Sequence, residues 1–152
     1  MVIIVDGEAY LSLDCTIIFE LCFEGGISEN RLVPVGGSLS ELPVPLREGW
    51  VFLDWFDAAA ESVFTAGQGN AVTTETVFTK DTTVYAHWRQ PGDVNGDGVL
   101  DNRDVTRLIR CLNYPGVEAV EANMDTNGDK KLDSEDVAQL IRFIKYHDVD
   151  LH

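Results

Sequence analysis

"DVNGDGVLDNRDVTRLIRCLNY", residues 93 to 114, and "DTNGDKKLDSEDVAQLIRFIKY", residues 125 to 146, align without a gap over 22 positions, twelve of them identical. A duplicated unit is the strongest signal in this chain. Each copy opens on a dozen residues with an acid or amide at nearly every second position. Each closes on apolar residues at helical spacing. Val105, Leu108, Ile109 and Leu112 lie at i, i+3, i+4 and i+7, and Val137, Leu140, Ile141 and Ile144 repeat them. Such a stripe is one face of a helix. Each copy therefore reads as a loop followed by an exiting helix, and the four aspartates in each loop call for a cation.

The loops match the template in which oxygens come from positions 1, 3, 5, 7, 9 and 12. In the first these are Asp93, Asn95, Asp97, the carbonyl of Val99, Asp101 and Asp104. In the second they are Asp125, Asn127, Asp129, the carbonyl of Lys131, Asp133 and Asp136. Ca²⁺ is hard and takes six to eight oxygens. Metals that prefer nitrogen or sulfur want His or Cys, and neither loop has one. The expected cofactor is two calcium ions, one per loop. Three features depart from an ordinary EF-hand. Position 12 is Asp rather than Glu. Position 6 is Gly98 in the first loop but Lys130 in the second, where a positive φ costs about 1–2 kcal/mol. Pro91-Gly92 stands directly before Asp93, so no helix enters the first loop.

Working outward, the chain has 152 residues, 45% hydrophobic, with a formal net charge of −15. That length makes one ordinary domain or two small ones. The hydrophobic content is enough for a core and excludes a disordered acidic tail. The acidity argues against nucleic acid, whose phosphates want Lys and Arg. No apolar run approaches the ~20 residues that span a bilayer. The start "MVIIVDGEAY" lacks a basic n-region and meets an acid after four apolar residues, so it is not a signal peptide. Cys15, Cys22 and Cys111 are odd in number and show no zinc spacing. They read as small apolar residues, without support for a Cys15–Cys22 disulfide.

Residues 1 to 90 read as strands, in "CTIIFELCFEGG", "GWVFLDWFDAA" and "TVFTKDTTVYAHW". Turn-rich pieces, "PVGGSLSELPVPLREG" and "TAGQGNA", lie between them. "SLSELP" is expected to form one helical turn capped by Ser38 or Ser40. The boundary falls at "RQPG", residues 89 to 92, giving domains 1–90 and 91–152. Repeat units then cover 92–114 and 124–146.

A duplicated calcium loop with only an exiting helix, Asp at position 12 and a 32-residue spacing resembles a type I dockerin, over residues 92 to about 147. "GDVNGDG" and "DVTRLIR" are its most specific residues. The resemblance implies a non-catalytic module that docks onto a cohesin of a scaffoldin or cell-surface anchor. It also implies two packed loop–helix units with "GVEAVEAN" as a short linking helix. Family contacts fall at loop positions 10 and 11 and on the outer face of each exiting helix. Here those are Asn102, Arg103, Arg107, Arg110, Cys111 and Tyr114 in the first unit. In the second they are Ser134, Glu135, Gln139, Arg142, Phe143 and Tyr146. The implied location is extracellular, in a cellulosome or on a bacterial surface, with the signal peptide outside this fragment. The first half is similar to the Listeria–Bacteroides repeat, in "TIIFELCFEGG", "GWVFLDWF" and "VFTKDTTVYAHW". That likeness implies a β-grasp-like spacer or adhesion module. Residues 1 to about 13 lie outside it, as an extra strand or a neighbour's tail. The expected fold class is thus an α+β two-domain chain, a β-grasp-like module followed by an all-α dockerin.

The histidines, His87, His147 and His152, form no triad with a Ser or Cys and an acid, and His87 in "YAHW" reads as a strand residue. Ninety residues of short strands are a poor scaffold for the paired carboxylates of a glycosidase. Trp50, Trp55 and Trp88 sit in alternating strands, which favours a core role over sugar stacking. The expectation is an assembly module and no enzyme. The alternative is a polysaccharide- or surface-ligand-binding module that the dockerin attaches.

Overall fold

Alternation sets the central strand. In β3 (Asp14–Glu20) Cys15, Ile17 and Phe19 are buried while their neighbours are half-exposed. That is the period of two that one core-facing side demands. The computed structural model describes residues 2–5, 8–11, 13–62 and 67–152. β1 (Val2–Val5) and β2 (Glu8–Leu11) pair antiparallel as a separate ladder, Ile3 opposite Tyr10. The main sheet has the order β4-β3-β6-β5, with β4 (Glu29–Pro34), β5 (Val51–Phe56) and β6 (Thr82–Arg89). β3 runs antiparallel to β4, with Cys15 opposite Val33, and parallel to β6, with Phe19 opposite Val84. Residues 1, 6, 7, 12 and 63–66, which include the first two residues of "TAGQGNA", lie outside the described residues.

The chain divides into two compact units. The first takes the chain up to Pro45 with Leu53–Ala60 and Gly67–His87. Its core joins Ile17, Phe19, Val33, Trp55, Phe56, Val84 and Ala86. The Phe19 and Trp55 rings meet edge-on at 4.8 Å. The buried indole N–H finds the partner it needs, donating to the Pro43 carbonyl at 2.7 Å. His87 stacks on Phe56 at 4.1 Å. Its Nδ1 accepts from the Gly67 amide at 2.9 Å. Only one nitrogen of a neutral imidazole carries the proton, so Nε2 is the donor, to the Ala58 carbonyl at 2.7 Å. One buried imidazole thus ties two distant backbone points. Cys15 is buried, Cys22 is exposed, and all three cysteines are free.

The second unit is built around Leu46–Phe52 and Trp88–His152. α1 (Asn102–Asn113) and α2 (Ser134–Tyr146) pack through Val105, Leu108 and Leu140, joined by Val94 and Met124. Leu108 and Leu140 are fully buried, each worth about 1.5–3 kcal/mol by transfer.

This architecture corrects the expected fold class. Among its described residues the chain is mixed α+β, with a four-stranded sheet and two short α-helices, rather than a β-grasp-like module followed by an all-α one. No helix lies in the first unit among its described residues. The segment 38–43 has no helical turn. The Gly37 carbonyl accepts from the Phe78 amide and the Gly36 amide donates to the Phe78 carbonyl, and Pro43 and Pro45 offer no N–H. The second unit includes the strand residues Val51, Phe52, Trp88 and Arg89 and long irregular stretches. The "GVEAVEAN" segment is helical only at the 3₁₀ turn Glu121–Asn123, since the Val120 amide is drawn to the Val94 carbonyl at 3.0 Å.

Candidate functional site

Short Asp and Asn side chains reach their own backbone, and this fixes the first loop. The Asp93 carboxylate accepts from the amides of Gly96 at 2.8 Å and Gly98 at 3.0 Å. Asn95 accepts from Asp97, and Asp97 from Val99. Asp104 closes the loop, accepting from Asn95 at 3.1 Å and Asp101 at 3.0 Å. Asp101 accepts from the Arg103 amide at 2.7 Å. Asp101 and Asp104 together form the capping box that starts α1.

The second loop repeats this scheme bond for bond. Asp125 accepts from Gly128 and Lys130, Asn127 from Asp129, and Asp129 from Lys131. Asp136 accepts from Asn127 and Asp133, and Asp133 from Glu135, capping α2. One addition is local to this loop. Buried Thr126 donates its amide to the Asp136 carboxylate at 2.9 Å and its hydroxyl to the Asp136 carbonyl at 2.8 Å. The first loop has apolar Val94 there and is supported instead by buried Asn123, whose Nδ2 donates to the Asp93 carbonyl at 2.9 Å. Sequence reasoning misses both supports, although Thr126 breaks the repeat, which is the signal that marks it.

The donor set is all oxygen. Asp93 and Asp104 are fully buried in the first loop, as is Asp136 in the second. Burial pushes the Asp93 and Asp104 carboxyls above the ordinary carboxylate range, and the charge of Asp97 adds to both, while loop amides oppose the rise. Buried carboxylates that repel one another suit a hard cation, so the residues present fit calcium. Among the described residues the carboxylates are turned to backbone amides, and no cluster of three His, Cys, Asp or Glu side chains is already gathered around a common point.

Apart from Arg103, the residues expected on the partner face fall into three groups. Asn102, Arg110, Tyr114, Ser134, Glu135, Arg142 and Tyr146 are exposed. Arg142 pairs with Asp148 at 2.9 Å. Arg107 and Gln139, equivalent in the repeat, do one structural job with different chemistry. Arg107 donates to the Glu118 carbonyl at 2.6 Å and Gln139 to the Asp150 carbonyl at 2.7 Å, each eleven residues on. Cys111 and Phe143 are half-buried. Cys111 packs against the helix core. Ile109 and Leu112, expected in the core stripe, are 43% and 36% exposed. α1 is therefore rotated from the expected stripe, with Val105, Leu108 and Cys111 inward.

Arg103 folds over the first loop. Its guanidinium lies 2.8 Å from Asp101 and 3.1 Å from Asp97. The Asp101 bond holds that carboxyl below its usual range and raises the arginine in turn. Arg103, Arg107 and Arg110 line a groove of about 360 Å³ with Asn95, Asp97 and Thr106.

No helix among the described residues is long and apolar enough to cross a membrane. Comparison with curated proteins finds no match. The family model of the dockerin type I domain matches residues 91–145, the stretch holding both loops and all of α2 but its last residue. Dockerin domains in general are non-catalytic and dock onto cohesin modules in a calcium-dependent way. Loop geometry, helix capping and this match together support a type I dockerin in the C-terminal part of the chain.

Proposed function

We propose that the chain is a calcium-dependent, non-catalytic assembly module that docks its parent protein onto a cohesin of a cellulosome-type scaffoldin or cell-surface anchor. Residues 91–152 dock. Residues 1–90, similar to a Listeria–Bacteroides repeat, act as spacer. The observation that carries this reading is the bond-for-bond repetition of the loop scheme inside the stretch that matches the dockerin. Each loop holds one calcium ion. Asp93, Asn95, Asp97, the Val99 carbonyl, Asp101 and Asp104 hold the first, and Asp125, Asn127, Asp129, the Lys131 carbonyl, Asp133 and Asp136 the second. Bound calcium supplies the positive charge that lets the buried carboxylates stay ionised and fixes the start of both helices. The place of work is extracellular, where calcium sites of about 10⁻⁴–10⁻³ M suffice.

The sugar-binding alternative has lost two of its three platforms. Trp55 and Trp88 are buried. Trp50 is half-buried with the Arg47 guanidinium 3.7 Å from its ring centroid. The docking reading is tested by passing the chain over a panel of immobilised cohesins in calcium and then in EDTA. Retention by at least one cohesin, lost in EDTA, is expected. Failure on every cohesin in calcium sinks the reading.

A further inference from the structure

Arg103 stands where the first loop meets the exposed face of α1. Its guanidinium grips two residues expected to hold the ion. Nε donates to both Asp101 oxygens at 3.2 and 3.0 Å, Nη2 lies 2.8 Å from Asp101, and Nη1 lies 3.1 Å from Asp97. A fork of this kind matches a carboxylate more closely than an ammonium can. The equivalent position of the second loop is Glu135, which has the opposite charge. The nearest counterpart there is Lys131, a single contact to Asp129 at 3.9 Å.

We propose that Arg103 is a tethered counter-cation of the first loop that competes with calcium for Asp97 and Asp101 and so sets the affinity of that loop. This rests on the calcium reading given above. A carboxylate already neutralised by a guanidinium offers a metal less charge, and filling the loop must loosen or displace the fork. Room for that exists. The open groove beside the fork, about 360 Å³ and lined by Asn95, Asp97, Thr106, Arg107 and Arg110 as well as Arg103 itself, gives the guanidinium space to move into. The first loop therefore carries its own brake, and the duplicated second loop does not.

Calorimetric calcium titration of the full chain tests this, with Arg103→Gln, Arg103→Lys and, as a charge control, Lys145→Gln. Arg103 is 66% exposed in its side chain, so its replacement leaves the core intact. Lys145 is exposed on α2 and lies outside both loops. Arg103→Gln should tighten one of the two calcium sites by roughly three- to tenfold, the size expected for releasing two exposed ion pairs. Arg103→Lys should fall between Gln and Arg, since it keeps the charge without the fork. Lys145→Gln should change neither site by more than about twofold, because distant exposed charge is screened. Calcium binding by the unsubstituted chain together with no tightening in Arg103→Gln overturns this inference and leaves the calcium reading standing. Equal tightening by Lys145→Gln also overturns it, because net charge alone would then be the cause. Absence of any calcium binding by the unsubstituted chain overturns both.

Discussion

Lys130 and Gly98 occupy the same position of the two loops and share one backbone conformation, with φ of +66° and +79°. Glycine reaches that left-handed region freely, while a lysine there costs about 1–2 kcal/mol. Lys130→Gly should tighten calcium binding in the second loop several-fold. Gly98→Ala should weaken the first, and purely through the backbone, since an added Cβ would meet nothing within 4 Å. Calorimetric titration checks both. No gain, or a loss, in Lys130→Gly counts against strain at this turn.

Calcium should govern the helices. Both α-helices begin on loop carboxylates, and among the described residues the core between them is a cluster of five buried apolar residues. So small a core is marginal without a metal. Far-UV circular dichroism of the full chain reports on these helices, because the first unit contributes none among its described residues. EDTA should remove most of the helical signal and excess calcium restore it. A spectrum indifferent to EDTA contradicts the prediction.

Stability should run in opposite directions with pH in the two metal conditions. Asp93 and Asp104 have folded pKa values raised by burial, above the ordinary value near ~4. A raised carboxyl binds more protons folded than unfolded in that window, so its contribution falls as pH rises through it. The helical signal that remains in EDTA should therefore grow as pH is lowered toward the ordinary carboxylate range near ~4, and Asp93→Asn should flatten that dependence. Asp101, lowered by Arg103, runs the other way, but that pair is exposed and weighs little. In excess calcium the order reverses, because protons compete with the ion. A residual helical signal in EDTA that falls steadily as pH is lowered toward ~4 is the contrary result.

Gly92 should tolerate no side chain. Its φ is +88°, and an added Cβ would stand 2.8 Å from both Leu140 Cδ1 and Leu151 Cδ1. Backbone strain and overpacking together should cost Gly92→Ala about 2–4 kcal/mol, read as a lowered melting temperature in calcium. A loss below about 1 kcal/mol would mean that Leu151 simply moves aside.

One docking orientation should dominate, led by α1. Arg103 and Glu135 have opposite charge, and like charges across an interface cost several kcal/mol. α1 also exposes Ile109 and Leu112, whose equivalents Ile141 and Ile144 pack on the core. Arg103→Glu with Arg110→Ala should cut cohesin affinity at least about tenfold, while Glu135→Arg with Arg142→Ala should change it little. If each pair is tolerated alone and binding fails only when they are combined, the module binds both ways round.

The loops are legible because their bonds are local. Asp93 reaches three and five residues ahead and Asp97 two, so sequence spacing dictates partner and geometry alike. Where partners are distant, the pattern misleads. The strand at 29–34 hides in the sequence because it lies at the sheet edge with only Val33 buried and Leu32 turned to solvent. "GVEAVEAN" reads as a linking helix, but the Val120 amide is claimed by Val94, on the far side of α1 in the chain. Which edge of the apolar stripe of α1 turns inward is set by packing against α2, which buries Val105 and Leu108 and leaves Ile109 and Leu112 exposed. Arg103 illustrates a different limit. Its neighbours are local, but a long side chain has several places to lie, and spacing alone does not choose among them.

The segment that leads into the first loop is stitched to the stretch between the repeats. Arg89 donates to the Ala122 carbonyl, the Gly92 amide to the Asn123 carbonyl, Asn123 Nδ2 to the Asp93 carbonyl, and the Val120 amide to the Val94 carbonyl, all between 2.9 and 3.0 Å. In mechanical terms this is an anchor. In the proposed docked state the module is pulled through its upstream chain while α1 is held by the partner, and without the stitches that tension would unroll the first loop from its leading end. With them, the load passes sideways into residues 120–123 and is shared by four bonds before any loop carboxylate feels it.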